Sequence, residues 1–219
     1  MVGLEEVRNN PLVNTFIQKG NDHLGAMGYT DHGFLHINLV SRLGREILHD
    51  LGYGGRLPEL AGIAGYMHDI GNVVNRNGHS QSGALMAIEI LRRMGMDVAE
   101  ISIISSAIGN HDEGYGHPVN EVAAALILAD KSHVHRNRVR NRDVASFDIH
   151  DRVNYAARYS ILNISKEDQV ISMDVQIDID ICPVMEYFEI FMSRMLLCRR
   201  AATYLGCEFE LVINGAKLI

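Results

Sequence analysis

"GYMHDIGNV", residues 65–73, sets His68 and Asp69 side by side at the end of an apolar segment and follows them closely with Gly71. An ionised carboxylate taken out of water costs several kcal/mol unless it is paired or holds a metal, so a buried His-Asp pair demands partners from elsewhere in the chain. Where those partners lie decides the fold.

From about residue 30 to residue 142 the pattern is helical. Thr30 or Asp31 can cap a helix running to about His49, and Pro58 suits the first turn of the next, which Gly71 ends. A third runs from Ser80 to Met94 and stops at Gly95; Asp97 with Glu100 resembles a capping box for a fourth reaching Gly109; Pro118 opens a fifth through Asp130. These helices carry ligand-capable residues on their apolar stripes. His36 lies in line with Val40, Leu43 and Ile47, His79 with Gly83, Met86 and Ile90, and His111 extends Ile101, Ile104 and Ile108. Asp130 continues Ala123 and Ile127. Ala61, Ala64 and Gly65 let backbones approach closely around whatever these side chains share.

A lone histidine on an apolar face is usually a core residue bonded to a carbonyl. Four histidines and two aspartates on converging faces have one economical explanation, because imidazole and carboxylate together form a donor set for transition metals. One ion would be held by His36, His68, Asp69 and Asp130. His79 and His111 have the donors for a second, with Asp69 bridging. The expected cofactor is one or two divalent transition-metal ions, two rather than one. Iron or manganese suits this thiolate-free set best, and zinc, nickel, cobalt and magnesium are the other candidates.

The order His36, His68-Asp69, Asp130 resembles the HD-domain superfamily. "DHGFLHINLV" looks like its first histidine helix, with His36 as ligand, and "MHDIGNV" resembles its central motif. "GHSQSGALMA" and "IGNHDEG" resemble the segments that bring two further histidines in binuclear members, and "LILADKS" the final aspartate helix. Asn72 stands where many cyclic-dinucleotide phosphodiesterases of the superfamily have lysine, and Asp112 where one subgroup has a second histidine. The resemblance covers about residues 30–142. It implies a helical bundle and a metal-dependent hydrolase of phosphomonoesters or phosphodiesters, which uses a metal-activated hydroxide and no protein nucleophile. Two other classes share the arrangement: a diiron oxygenase, and a metal-stabilised binding module without turnover.

Just after Asp130, "KSHVHRNRVRNR" gathers Lys131, Arg136, Arg138, Arg140 and Arg142 into a candidate phosphate funnel. On a helix Arg136 and Arg140 form one ridge and Arg138 and Arg142 another, so only one ridge can face a pocket. Arg136 and Arg140 are taken as the substrate-binding pair, with Lys131 beside Asp130 as a catalytic contact together with Asp69. Proton delivery to a leaving group falls to His32, His117 or Lys131.

Composition sets the outer bounds. The chain has 219 residues, 47% of them hydrophobic, enough for a substantial core. A formal net charge of -7 argues against indiscriminate nucleic-acid binding, and no specific nucleic-acid partner is expected. The opening "MVGLEEVRNN" lacks the apolar stretch of a signal peptide and no later run is long enough to span a bilayer, so a cytoplasmic protein without membrane partners is expected. Cys182, Cys198 and Cys207 show no metal or disulfide spacing.

After about residue 145 the texture changes. "VISMDVQIDID" alternates Ile171, Met173, Val175, Ile177 and Ile179 with polar residues as a half-buried strand does; Pro183 starts an amphipathic helix, and "CEFELVI" closes as a second strand. The expected fold is therefore mainly α: a helical metal-binding domain over residues 1–145 and a small α+β unit over residues 146–219, packed on the first. In the tail, Asp148, His150 and Asp151 read as surface residues, while Tyr155, Tyr159 and the strand edge suit a homodimer contact or a lid over a small phosphorylated substrate.

Overall fold

The computed structural model describes residues 1–219. The five helices expected around the His-Asp pair are present. They are preceded by α1 (Leu4–Arg8) and α2 (Pro11–Ala26), and run as α3 (Phe34–Asp50), α4 (Leu57–Met67), α5 (His79–Arg93), α6 (Val98–Gly109) and α7 (Glu121–Lys131). Asn10 caps α2 by accepting from the N–H groups of Leu12 and Val13, with Pro11 in the first turn, and the stripe Val13, Ile17, Gly20, Leu24 is buried.

Several boundaries differ from the sequence reading. Gly33, with no side-chain cap, opens α3; Asp31 instead accepts from the Gly33 N–H in the turn before it. The α-helix of the central motif stops at Met67, and Gly71 sits within a 3-10 turn, Ile70–Val73. Asp97 caps α6 as expected, but Glu100 accepts from Arg56 rather than closing a capping box. Asn120, not Pro118, is the cap of α7, accepting from the Ala123 N–H at 2.7 Å.

α7 is the axis of the bundle: Val122 through Ala129 are fully buried, and α3, α4, α6 and the later helix over Val184–Tyr204 pack around it. Its four alanines let these neighbours come close. At Gly65 on α4 the approach of α3 is closer still, since a Cβ there would lie 2.8 Å from Ser41 Cα.

Beyond α7 come α8 (Ile149–Ala156), β1 (Ala157–Ser165), β2 (Val170–Ile177), α9 (Val184–Tyr204), β3 (Glu208–Ile213) and β4 (Ala216–Lys217). The sheet has the order β1-β2-β3-β4, antiparallel except for β2 and β3, which α9 joins as a parallel crossover. Ile171, Met173, Val175 and Ile177 face inward on β2 as the alternation predicted; Ile179 lies past the end of the strand, 65% exposed. One apolar cluster of 53 buried residues runs from Val2 to Ile213, continuous across both parts of the chain. No helix is long and apolar enough to cross a membrane.

Candidate metal centre

Each side chain of the predicted donor set reaches the middle of the bundle from a helix end. His36 sits in the first turn of α3, His68 and Asp69 just after α4, His79 at the start of α5, His111 just beyond α6 and Asp130 next to last on α7. The four histidines are between 0% and 2% exposed.

Two donor sets share Asp69. In one, His36 Nε2 lies 3.3 Å from His68 Nε2, 3.3 Å from Asp130 Oδ1 and 3.8 Å from Asp69 Oδ2, and His68 Nε2 is 3.3 Å from that same Asp69 oxygen. In the other, His79 Nε2 lies 3.2 Å from His111 Nε2 and 3.5 Å from Asp69 Oδ1. Donor atoms about 2.1 Å from a common ion are roughly 3–3.5 Å apart in tetrahedral or octahedral geometry, so these separations suit a bound divalent metal, and the donor atoms of His36, His68 and Asp130, and of His68, Asp69 and His111, each lie within 4.8 Å of one another.

The protonation pattern fits as well. His68, His79 and His111 each donate Nδ1–H to a carbonyl three residues earlier: Gly65 O at 2.8 Å, Arg76 O at 3.0 Å and Ile108 O at 2.6 Å. A carbonyl can only accept, so in His79 and His111, which burial keeps neutral, the facing Nε2 is a bare lone pair. His36 Nδ1 is 2.9 Å from His133 Nδ1, the two rings stacked, so one proton serves both nitrogens. Asp69 Oδ2 is buried with no hydrogen-bond partner. Bare lone pairs and an orphaned carboxylate oxygen pointing at one another are what a cation would reconcile, and the His and Asp clusters fit a divalent metal.

Burial sets the electrostatics. It lowers the pKa of His79 and, with the neighbouring His68, holds that of His111 well below the ordinary value; burial and then the Arg138 guanidinium bring His36 down to about 4. Burial also pulls at His68, but Asp69 and Asp130 outweigh it and its pKa is raised. Against burial, His68 holds Asp69, and Lys131 holds Asp130, well below the usual carboxylate range.

A supporting layer orients the carboxylates. Asn72 donates Nδ2–H to Asp69 Oδ1 at 2.8 Å and to the Asp69 carbonyl at 3.0 Å. Lys131 Nζ lies 2.7 Å from Asp130 Oδ2 and 2.6 Å from Glu113 Oε2, and Glu113 also accepts from Arg194 Nε at 2.9 Å. Lys131 is thus a buried ammonium spanning two carboxylates, which raise its pKa against the effect of burial. Gly71 brings α5 in: a Cβ there would collide with the backbone oxygen of His79 and lie 2.6 Å from Gly83 N.

The centre opens onto a cavity of about 510 Å³ lined by 19 residues, only three of them hydrophobic. Asp69, Asp130, His79 and His111 form its floor, and Arg76, Lys131, Arg138 and Arg194 its cationic wall. The helical ridges expected of the basic cluster do not form, because α7 ends at Lys131 and the chain continues through a 3-10 turn, Arg136–Arg138, into extended backbone. Arg136 instead packs over the Tyr155 ring at 5.3 Å, and Arg140 pairs with Asp31 at 3.4 Å; neither lines the cavity. Tyr155 is engaged inside the molecule, its other neighbour being Phe147. Asp148, His150 and Asp151, read from sequence as plain surface, line the cavity with Asn154. His32 lines it too, whereas His117 is exposed and does not. Sequence reasoning passed over Arg76, Glu113 and Arg194, which lie outside the basic run and off the His and Asp stripes.

The HD domain family profile matches residues 33–148, a span that contains all six predicted metal ligands. An uncharacterised protein of Methanocaldococcus jannaschii is 30% identical over 105 residues, covering 41% of this chain and 40% of the relative. The match therefore spans about two-fifths of that protein's length.

Proposed function

From the chain's membership of the HD-domain family, we propose that it is a metal-dependent hydrolase of a small phosphorylated molecule, a phosphomonoester or phosphodiester. The observation that carries the reading is Asp69, whose two oxygens serve two histidine-containing donor sets at the floor of a polar cavity with guanidinium groups in its wall. His36, His68, Asp69 and Asp130 would hold one ion, and Asp69, His79 and His111 the other. Bound there, divalent ions such as iron or manganese supply Lewis acidity toward phosphoryl oxygens and acidify water to a nucleophile at neutral pH.

The protein's own part is orientation and charge. Asn72 fixes one oxygen of Asp69 and Lys131 one oxygen of Asp130, leaving Asp69 Oδ2 and Asp130 Oδ1 turned toward the imidazoles. Lys131 acts as a positioning residue through Asp130. His32 donates Nδ1–H to the Thr30 carbonyl at 2.8 Å, and burial keeps the ring neutral, so its Nε2 is an acceptor of protons within the cavity. The cationic wall favours a phosphate over a neutral ester.

The test is a screen of phosphorylated metabolites against protein reconstituted with iron, manganese or zinc, with metal analysis and oxygen uptake measured in parallel. Phosphate release that needs metal and consumes no oxygen supports the reading. Oxygen consumption with reduced iron and no phosphate release from any ester replaces it with an oxygenase.

A further inference from the structure

Arg138 is 5% exposed and makes no ion pair. A buried guanidinium carries a large desolvation cost, normally offset by a carboxylate, and here none reaches it. Two of its three nitrogens are spent on backbone: Nε donates to Asp31 O at 3.0 Å and Nη1 to His133 O at 2.8 Å. The Asp31 N–H in turn donates to the Arg138 carbonyl at 2.7 Å, so the side chain is braced from both directions against the turn before α3. Its Nη2 has no partner in the protein, and the residue lines the cavity beside Asp69 and Asp130.

A second guanidinium stands at the other donor set. Arg76 Nη1 is 3.9 Å from Asp69 Oδ1, 3.5 Å from His79 Nε2 and 3.4 Å from Asn72 Oδ1, with the group over the Tyr29 ring at 5.9 Å. Arg138 holds the carbonyl of His133, whose Nδ1 meets His36 Nδ1 at 2.9 Å, and so stands on the His36 side of the centre, as Arg76 stands on the His79 side. The other two cations of the wall, Lys131 and Arg194, are already neutralised by Asp130 and Glu113.

We infer that Arg138, fixed on two backbone carbonyls, is the anion receptor of the cavity and binds the phosphate of the substrate through Nη2, with Arg76 taking the other end of the same group. This rests on the phosphohydrolase reading for the word substrate, but not for the anion. A phosphate lying across both donor sets meets one guanidinium at each end. The brace explains why arginine is needed: two donors hold the side chain while a third remains free, which a lysine ammonium on a flexible stem does not reproduce. Charge is retained at neutral pH, since burial lowers the Arg138 pKa only to about 10.

The probe is inorganic phosphate, titrated calorimetrically into zinc-loaded protein. Arg138→Gln should weaken phosphate binding roughly ten- to a hundredfold, the loss of one charge-assisted hydrogen bond, with zinc content as in wild type. Arg138→Lys should restore only part of the affinity, and Arg140→Ala, whose guanidinium lies outside the cavity, should change nothing. Should both Arg138 variants fail to fold, the Nε–Hε resonance of Arg138 in wild-type protein decides, and it should shift on phosphate addition. Unchanged phosphate affinity in a folded Arg138→Gln, or an unmoved resonance in wild type, overturns the inference. A protein that binds phosphate through Arg138 yet releases none from any ester supports it while refuting the hydrolase.

Discussion

His79 Nε2 and His111 Nε2 face each other across 3.2 Å, although each ring commits its Nδ1–H to a backbone carbonyl. Neither facing nitrogen then has a proton to give, and two lone pairs at that distance repel unless a cation lies between them. The same holds in weaker form around Asp69 Oδ2.

Replacing His79 or His111 by alanine should therefore reduce bound metal from about two ions per chain to about one, because His36, His68, Asp69 and Asp130 remain as a four-donor set. Elemental analysis of each purified variant reads the outcome. Wild-type stoichiometry in both would make the site mononuclear and these two histidines structural.

Asp69→Ala removes a carboxylate with one oxygen near His36 and His68 and the other near His79, and metal and phosphate release should fall together, well beyond the effect of any substitution in the supporting layer. Asn72→Ala is the comparison. Its side chain donates to Asp69 Oδ1 at 2.8 Å and accepts from Arg76 Nη1 at 3.4 Å without being a ligand itself, so its loss should cost roughly 10–100-fold in metal affinity. Metal titrations of both variants test the ranking, and an Asp69→Ala protein that keeps its metal and turns over normally would refute the hydrolase mechanism.

Chelation should destabilise the fold as well as silence it. The ligands come from three helices, α3, α5 and α7, and from the segments just after α4 and α6, so ions binding them hold the bundle together in the native state alone. At a free-metal level about a hundredfold over Kd, linkage contributes roughly 2.7 kcal/mol per site. For a chain of this length that corresponds to a Tm higher by roughly 5–10 °C. Scanning calorimetry with metal and with excess chelator checks it; coincident melting curves would count against a structural role for the ions.

How much of this was legible in the sequence follows from which interactions are local. His36, His79, His111 and Asp130 could be placed inward because a 3.6-residue period records burial along each helix, and the Ile171–Ile177 alternation recorded it along a strand. Helix starts were less readable. Gly33 and Asn120 open α3 and α7, whereas the more conspicuous Thr30, Asp31 and Pro118 do not, because the turn geometry is set by contacts such as Asp31 with Arg138. α2 carried usable signals, Asn10 and Pro11 before the stripe Val13, Ile17, Gly20, Leu24, that the reading left unused. Arg138 belonged to the basic cluster, but the choice fell on Arg136 and Arg140 because a helix was assumed that the chain does not form. Arg138 lies in non-periodic backbone, and its partners Asp31 and His133 acquire meaning only when the chain closes across the bundle. Asp148 and His150 are exposed, as the sequence reading had them, and Asp151 is buried instead, while all three line the cavity because α8 and its cap lie along its mouth.

The glycine that follows the His-Asp pair supplies the sharpest test of how the centre is assembled. Gly71 lies in the 3-10 turn that carries the chain away from Asp69, and the start of α5 packs directly onto it. A Cβ at Gly71 would strike the His79 carbonyl oxygen and crowd Gly83 N and Ser82 Oγ, both 2.6 Å away. Two of the three obstacles are backbone, so no side-chain rotation relieves the clash and α5 itself must move. His79 is the first residue of that helix, and its Nε2 can stay 3.5 Å from Asp69 Oδ1 only if α5 stays in place. Gly71→Ala should thus cost roughly 1–3 kcal/mol through overpacking and also weaken the ion held by His79 and His111 more than the one held by His36 and Asp130. Gly54→Ala is the control, since a Cβ there meets nothing within 4 Å. Thermal melts combined with metal stoichiometry separate the two effects: a Gly71→Ala protein that is destabilised but keeps both ions would show that α5 can yield without carrying His79 out of the site.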